Sequence, residues 1–314
     1  MVKYIKILAD LFKKDIKIAG GKGASLGEMI QNKIPVPQGF IILASAFDRF
    51  MEKTDLNVEI EALLHKVNFK KVNSADRISN KIRDLISDVE FPKDIAKEIK
   101  KSFEKLGAKY VAVRSSATAE DSKNAAWAGQ LESYLNTTEK KLLENVKKCW
   151  ASIYTPRAIF YRFDKKLNGA KISVAVVVQK MIQSEISGIC FTVHPVTKDY
   201  NQMIIEAGYG FGEAIVGGKI TPDAYIVNKN SKIEILDKNI SEQTMMIVGD
   251  RHGIKEISVL KSNQNKQKLS DKQILELSKI CVNIEKHYKK PQDIEWVFEK
   301  GKFYIVQSRP ITTL

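Results

Sequence analysis

Apolar positions along this chain change period several times, and each change marks an element. Residues 46–106 carry apolar side chains at helical spacing between charged faces; Phe91-Pro92 breaks the run and Gly107 ends it. Leu142, Val146, Cys149 and Ile153 predict a helix over 138–162, kinked at Pro156. Ser270 and Gln273 read as a capping box, and Ile274, Leu277, Cys281, Ile284 and Tyr288 form the stripe of the helix they open. His287 near its end complements the helix dipole, and Pro291 stops it. Short β-branched or apolar runs at 41–43, 111–113, 172–180, 188–193 and 203–206 read as buried strands. Residues 223–227 and 232–236 read as a hairpin, as do 293–298 and 302–307 around Gly301. Residues 34–40, with Pro35 and Pro37, are extended.

Three stretches bring chemistry onto that frame. The strand at 111–113 ends in Arg114, followed by Ser115, Ser116, Thr118 and a polar loop with Gly129. An arginine fork beside hydroxyl and backbone donors suits an anion, although Ser and Asp after a strand also serve as plain helix caps. Residues 20–27 form a glycine-rich turn around Lys22, leading into a helix at 24–30. It is no P-loop, because Gly23 and Ile16 stand where the hydroxyl residue and first glycine belong. Such a turn still aims N–H groups at an anion, or is simply a turn with an exposed lysine.

The third stretch is the hairpin around Gly301, where loop length decides which side chains cooperate. A two-residue loop at Lys300-Gly301 pairs Glu295 with Val306 and sets Glu295 and Gln307 on opposite faces. A three-residue loop puts Glu295, Gln307 and Arg309 on one face and Ile294, Trp296, Phe298, Tyr304 and Val306 on the other. Lys-Gly is a weak two-residue signal, so the three-residue loop is the expectation. Its polar face offers oxygen ligands for Mg²⁺ and a guanidinium for phosphoryl charge, or is merely solvated.

A net charge of +14 raises the question of a polyanionic partner, but the lysines are scattered over helix faces and no nucleic-acid-binding motif is present. A solvated surface is expected, with no nucleic-acid partner. Arg157 and Arg162 are expected to be solvated or ion-paired. Cys149, Cys190 and Cys281 lie far apart, outside any CxxC, which speaks for a reducing compartment. The first 18 residues lack the apolar core of a signal peptide and no apolar run spans a bilayer, so a cytoplasmic protein without membrane association is expected. The glycines at 208, 210, 212, 217 and 218 suggest close backbone approach; with Ala214 after Glu213 and no βαβ unit, dinucleotide binding is not expected.

Five stretches in order, 18–29 (IAGGKGASLGEM), 34–40 (IPVPQGF), 111–137 (VAVRSSATAEDS…AGQLESYLNT), 205–217 (IEAGYGFGEAIVG) and 291–310 (PQDIEWVFEKGKFYIVQSRP), together resemble one family. It is the N-terminal nucleotide-binding domain of the phosphoenolpyruvate synthase and pyruvate phosphate dikinase family, to which rifampin phosphotransferase is related. The resemblance implies an α+β, ATP-grasp-type domain with mixed or antiparallel sheets, its first lobe over 1–182 and its second over 183–314. It implies a kinase-type phosphotransferase using ATP and Mg²⁺. Lys22, Arg114 and Arg309 then serve the phosphates as catalytic groups, and Gly129 and Gln130 belong to the nucleotide loop. Gln179, Lys180, Met181 and Ile182 line the adenine pocket, Glu185 reaches the ribose, and Glu295 and Gln307 hold the metal.

In that family ATP phosphorylates a histidine on a separate swivelling domain, which carries the phosphoryl group to pyruvate at a third domain. Here the sequence stops at Thr313-Leu314, just after QSRP, and His65, His194, His252 and His287 lie in no phosphohistidine motif. The expectation is one part of a larger machine, with the histidine and acceptor domains supplied in trans or in a longer chain. The acceptor, whether pyruvate, an antibiotic of the rifampin type or a phenol, stays open, and so does a non-catalytic nucleotide-binding regulator.

Overall fold

The computed structural model describes residues 4–118, 132–165, 167, 172–230 and 232–312. The chain divides into two compact units: 1–28 with 38–181, and 29–37 with 182–314. Every ladder among the described residues is antiparallel, and helices accompany both sheets, so the fold is α+β.

Unit 1 runs through β1 (Ile5–Ile7), α1 (Ile16–Gln31, whose last residues belong to unit 2), β2 (Gly39–Ile42), α2 (Ala44–Lys53), α3 (Leu56–His65), α4 (Val72–Asp88) and α5 (Lys93–Leu106). It continues through β3 (Val111–Ala117), β4 (Ser133–Thr137), α6 (Glu139–Ala151), α7 (Pro156–Asp164) and β5 (Val174–Lys180). The strands form one sheet in the order β1-β2-β5-β3-β4. Strand alternation sends Val111, Val113, Val176 and Val178 to one face, where they join a core built with the helices. Trp150 of α6 is fully buried there, its ring 4.9 Å from Phe50 and 5.3 Å from Phe91. Gly107 takes the left-handed conformation that ends α5 (φ 60).

Two helical expectations change. The helix expected over 138–162 is two helices: a 3₁₀ turn at Ser152–Tyr154 separates α6 from α7, and Pro156 opens α7 instead of kinking it. Proline fits a first helical turn, where its missing N–H costs nothing, and Thr155 caps it by accepting Ala158 N–H at 3.2 Å. The expected helix at 24–30 is part of α1, which is broken at Gly20 (φ 67, ψ 172) and resumes before Lys22. Arg162 is buried, with its guanidinium 5.7 Å from the Tyr154 ring, rather than solvated.

Unit 2 contains β6 (Ile186–Phe191), β7 (Gln202–Tyr209), α8 (Glu213–Val216), β8 (Asp223–Asn228), β9 (Glu234–Asn239), β10 (Met245–Asp250), β11 (Gly253–Ser258), α9 (Asp271–Tyr288), β12 (Gln292–Glu299) and β13 (Lys302–Pro310). Six strands form a sheet in the order β13-β12-β6-β7-β8-β9, and β10 with β11 form a separate hairpin. The capping box of α9 is present: Ser270 Oγ accepts Gln273 N–H at 3.4 Å and Gln273 Oε1 accepts Ser270 N–H at 2.8 Å. His287 does more than face the helix dipole, since its Nε2 lies 3.3 Å from Asn32 Nδ2.

One ion pair is fully enclosed in unit 2. Lys268 Nζ and Asp223 Oδ1 are 2.8 Å apart with both side chains inaccessible to solvent. Asp223 also accepts from Tyr225 Oη at 2.7 Å, Lys268 N–H at 2.9 Å and Ser241 N–H at 3.0 Å, and Lys268 Nζ donates to Ser241 O at 2.5 Å. This set ties β8 to the segment after β9 and to the approach of α9. All three cysteines are buried free thiols. No helix among the described residues is long and apolar enough to cross a membrane.

Candidate functional site

Two unit 1 candidates, Arg114 and Gln179, lie on the sheet face opposite the helical core. β3 is longer than its apolar run: Arg114, Ser115 and Ser116 continue the strand, all buried, instead of beginning a loop. Arg114 pairs with Val177 of β5 and Ser133 of β4, while Gln179 pairs with Ala112 and Gly39. Strand alternation therefore puts Arg114, Ser116 and Gln179 on one face. α1 lies across that face. Ser116 Oγ donates to Ala19 O at 2.9 Å and accepts Gly23 N–H at 3.2 Å. A Cβ on Gly20 would sit 2.3 Å from the Ser116 carbonyl oxygen, and one on Gly23 would sit 2.2 Å from Ile41 Cδ1. Glycine is thus required at Gly20, where the clash is with backbone, while at Gly23 it is with the tip of a side chain that can shift; Lys22 stands between them, half-buried. The hydroxyl of Ser115 is turned to Glu132 O at 2.7 Å and that of Thr118 to Ser173 O at 3.1 Å, so neither is a plain helix cap. Gly129 and Gln130 lie outside the described residues.

Farther along β5 the expected base-reading segment has prior commitments. Lys180 N–H donates to Gln38 O at 2.8 Å and Met181 N–H to Tyr110 O at 3.0 Å. Met181 and Ile182 are half-buried. Glu185 is exposed, and its Oε1 accepts Lys300 N–H at 3.0 Å, which braces the hairpin loop of unit 2.

That hairpin departs from expectation in a specific way. Glu299 pairs with Lys302, so the loop is the two residues Lys300 and Gly301, both at positive φ (50 and 77), as a primed turn requires. A uniform ladder from this loop would place Glu295 and Gln307 on opposite faces. A β-bulge intervenes. Trp296 pairs with Ile305 but Glu295 pairs with Gln307, leaving Val306 as the extra residue. Glu295 and Gln307 therefore sit side by side on one face after all, by a bulge and not by a three-residue loop. The apolar face changes accordingly: Ile294, Trp296 and Phe298 are joined by Phe303 and Ile305, while Tyr304 pairs with Val297 and leaves that face.

Arg309 lies on the same side as Glu295 and Gln307, and Asp293 holds it. Its Nε and Nη2 reach Asp293 Oδ2 at 2.8 and 2.7 Å. Burial pushes the Asp293 carboxyl above its usual range, Arg309 pulls it back, and Glu295 adds to the rise. Two strands away Glu206, paired with Ile189, which in turn pairs with Glu295, shares this face. Burial, then Asp293, raises its carboxyl too. Sequence reasoning passed over both acids, although the two-residue step from Asp293 to Glu295 already puts them on one strand face. His194 is engaged locally: its Nδ1 accepts the N–H groups of Val196 and Thr197 in a turn.

As a donor set, Glu295 and Gln307 give a carboxylate and an amide oxygen from adjacent strands. The described residues hold no group of three His, Cys, Asp or Glu placed to grip a metal by themselves. Such a pair fits Mg²⁺, which takes few protein oxygens and completes its shell with water and phosphate.

The chain is 45% identical to a probable phosphoenolpyruvate synthase of Methanocaldococcus jannaschii, matching 100% of this chain but 27% of that protein. It is 46% identical to one of Archaeoglobus fulgidus (98% of this chain, 41% of that protein) and 40% identical to rifampicin phosphotransferase of Bacillus subtilis (98% and 36%). The chain spans less than half the length of each of these relatives. Among solved structures, D-alanyl-alanine synthetase A of Vibrio cholerae matches at 9% identity over 75% of this chain and 54% of that one, with a TM-score of 0.31, too low to bear on the argument. A family model described as the pyruvate phosphate dikinase AMP/ATP-binding domain matches residues 16–314, which takes in every candidate residue above, and the chain belongs to that family.

Proposed function

We propose that this chain is the ATP-binding part of a phosphoenolpyruvate synthase-like phosphotransferase, passing a phosphoryl group from Mg-ATP to a histidine on a swivelling domain in trans or in a longer chain. The pairing of Glu295 with Gln307 beside the Asp293–Arg309 ion pair carries the reading. In it, units 1 and 2 are the two lobes of an ATP-grasp-type domain. Lys22 and Arg114 bind phosphate oxygens from the face of unit 1 that α1 covers. Gln179 and the 180–182 segment take the adenine, and Glu185, with one oxygen on Lys300 N–H, has its other for the ribose. Glu295 and Gln307 hold Mg²⁺, which when bound neutralises phosphate charge. Arg309, aimed by Asp293, offers its remaining N–H groups to the transferring phosphoryl group. Three buried thiols suit a reducing cytoplasm.

The likeness to rifampicin phosphotransferase favours a second acceptor, an antibiotic, for the same ATP half-reaction. The test for the shared half is transfer of label from ATP to an added phosphohistidine domain of the family. Acid-labile, base-stable label is expected on that domain and not on this chain. Lys22→Ala and Arg114→Ala are expected to weaken ATP binding by calorimetry, with Arg114→Lys only partly restoring it because lysine lacks the bidentate fork. Unchanged affinity in both alanine variants, or robust self-labelling at His194 or His287, refutes the assignment.

A further inference from the structure

Unit 1 carries a groove of about 740 Å³ on the side of α5, away from the sheet face that holds Lys22 and Arg114. Its floor is apolar, formed by Phe91, Ala96 and Leu143, and its wall is lysine: Lys93, Lys97, Lys100 and Lys101. All four lysines are exposed, and none makes a hydrogen bond or an ion pair with a described residue. Their spacing disfavours the helix. Lys93, Lys97 and Lys101 stand at i, i+4 and i+8, and like charges at that spacing repel. Acids on the same helix are engaged elsewhere: Asp94 lies 3.9 Å from Arg49, and Glu98 accepts Tyr4 N–H at 3.2 Å. Two acids at the rim, Glu90 and Glu104, leave the lining basic on balance.

We propose that this groove docks an acidic segment of a partner protein that carries apolar side chains at helical spacing. Charge complementarity names the sign of the partner, and the Phe91–Leu143 floor names the anchor. A bare polyanion would use the lysines and leave the floor wet. Phe91 has its ring stacked on Trp150, so it is a fixed surface for an aliphatic side chain and not a free plane for a nucleic-acid base. An amphipathic helix laid along α5 would satisfy both features.

The probe is a short fluorescein-labelled peptide of Glu and Asp with Leu at helical spacing, titrated with the full chain and followed by anisotropy. The comparison probes are an oligoglutamate without Leu and a single-stranded oligonucleotide. Saturable binding of the amphipathic peptide is expected, weakened roughly ten-fold by Lys97→Glu/Lys101→Glu and steeply by added salt. Leu143→Ala is expected to weaken it as well, while leaving oligoglutamate binding as it was. ATP affinity should be unmoved in the charge-reversal variant, which also shows that the variant is folded. The proposal is overturned if the amphipathic peptide fails to bind, if charge reversal leaves its affinity intact, or if oligoglutamate or the oligonucleotide binds as tightly.

Discussion

Gly20→Ala tests the way the Lys22 turn is seated. Gly20 has φ 67 and ψ 172, a region that only glycine enters freely, and forcing another residue there costs on the order of 1–3 kcal/mol. The new methyl group would also stand 2.3 Å from the Ser116 carbonyl oxygen and 2.5 Å from its carbon. Ser116 is held from retreating by its pairing with Ala175 in the β3–β5 ladder. The turn must lift instead, breaking the bonds from Ser116 Oγ to Ala19 O and from Gly23 N–H to Ser116 Oγ. Each is worth about 1 kcal/mol net, and a buried hydroxyl left without a partner adds about 1–3 kcal/mol. The total is roughly 4–8 kcal/mol, a large share of the ~5–15 kcal/mol that holds a typical domain folded. Gly107→Ala is the control: its φ is also positive, at 60, but a Cβ there meets nothing within 4 Å, so about 1–2 kcal/mol is expected. Urea unfolding followed by circular dichroism ranks the two, with ATP calorimetry on whatever stays folded. If Gly20→Ala costs no more than Gly107→Ala, the contact between α1 and β3 is not as described.

Lys268→Met and Asp223→Ala should each lower stability by about 3–5 kcal/mol, because either leaves a buried charge uncompensated, while Asp223→Leu/Lys268→Met should lose less than the sum; urea midpoints matching the parent chain in both single variants would refute this. Glu206 has its carboxyl raised by burial and Asp293, so the folded state holds that proton more tightly than the unfolded chain does. Its contribution to stability therefore falls as pH rises through the unfolded and then the folded value, and is lowest at neutral pH. Glu206→Gln should be at least as stable as the parent at neutral pH and should show a smaller decline from acidic to neutral pH; a loss of stability at neutral pH would contradict the assignment.

Much of the fold was legible because periodicity and punctuation are local. Gly107, the Ser270-Gln273 box and the β-branched runs announce themselves within a few residues. What stayed hidden depended on partners distant in sequence. β3 runs on through Arg114, Ser115 and Ser116 because β5 supplies ladder partners more than 50 residues later, which no local hydropathy reveals. Pro156 could be read as a kink or a start, and Thr155 decided it by capping. Arg309 and Gln307 were visible as polar positions, but Asp293 as the holder of Arg309 needed the cross-strand register. The Asp223–Lys268 pair, 45 residues apart, left no mark in the sequence at all.

The bulge at Val306 makes the pairing of Glu295 with Gln307 a matter of parity. The number of residues between Glu295 and Gln307 must satisfy loop and bulge together, and nature has balanced an even loop with one surplus residue beyond it. Two changes that are each harmful alone should then cancel. Losing the bulge at fixed length sets Glu295 opposite Val306, and lengthening the loop by one residue while the bulge persists sets it opposite Ser308; either alone turns Gln307 to the far face, and together they restore the Glu295–Gln307 pair. A bulge and a longer loop are therefore interchangeable in this hairpin, and a gap aligned within it need not mean that the carboxylate and amide have lost one another.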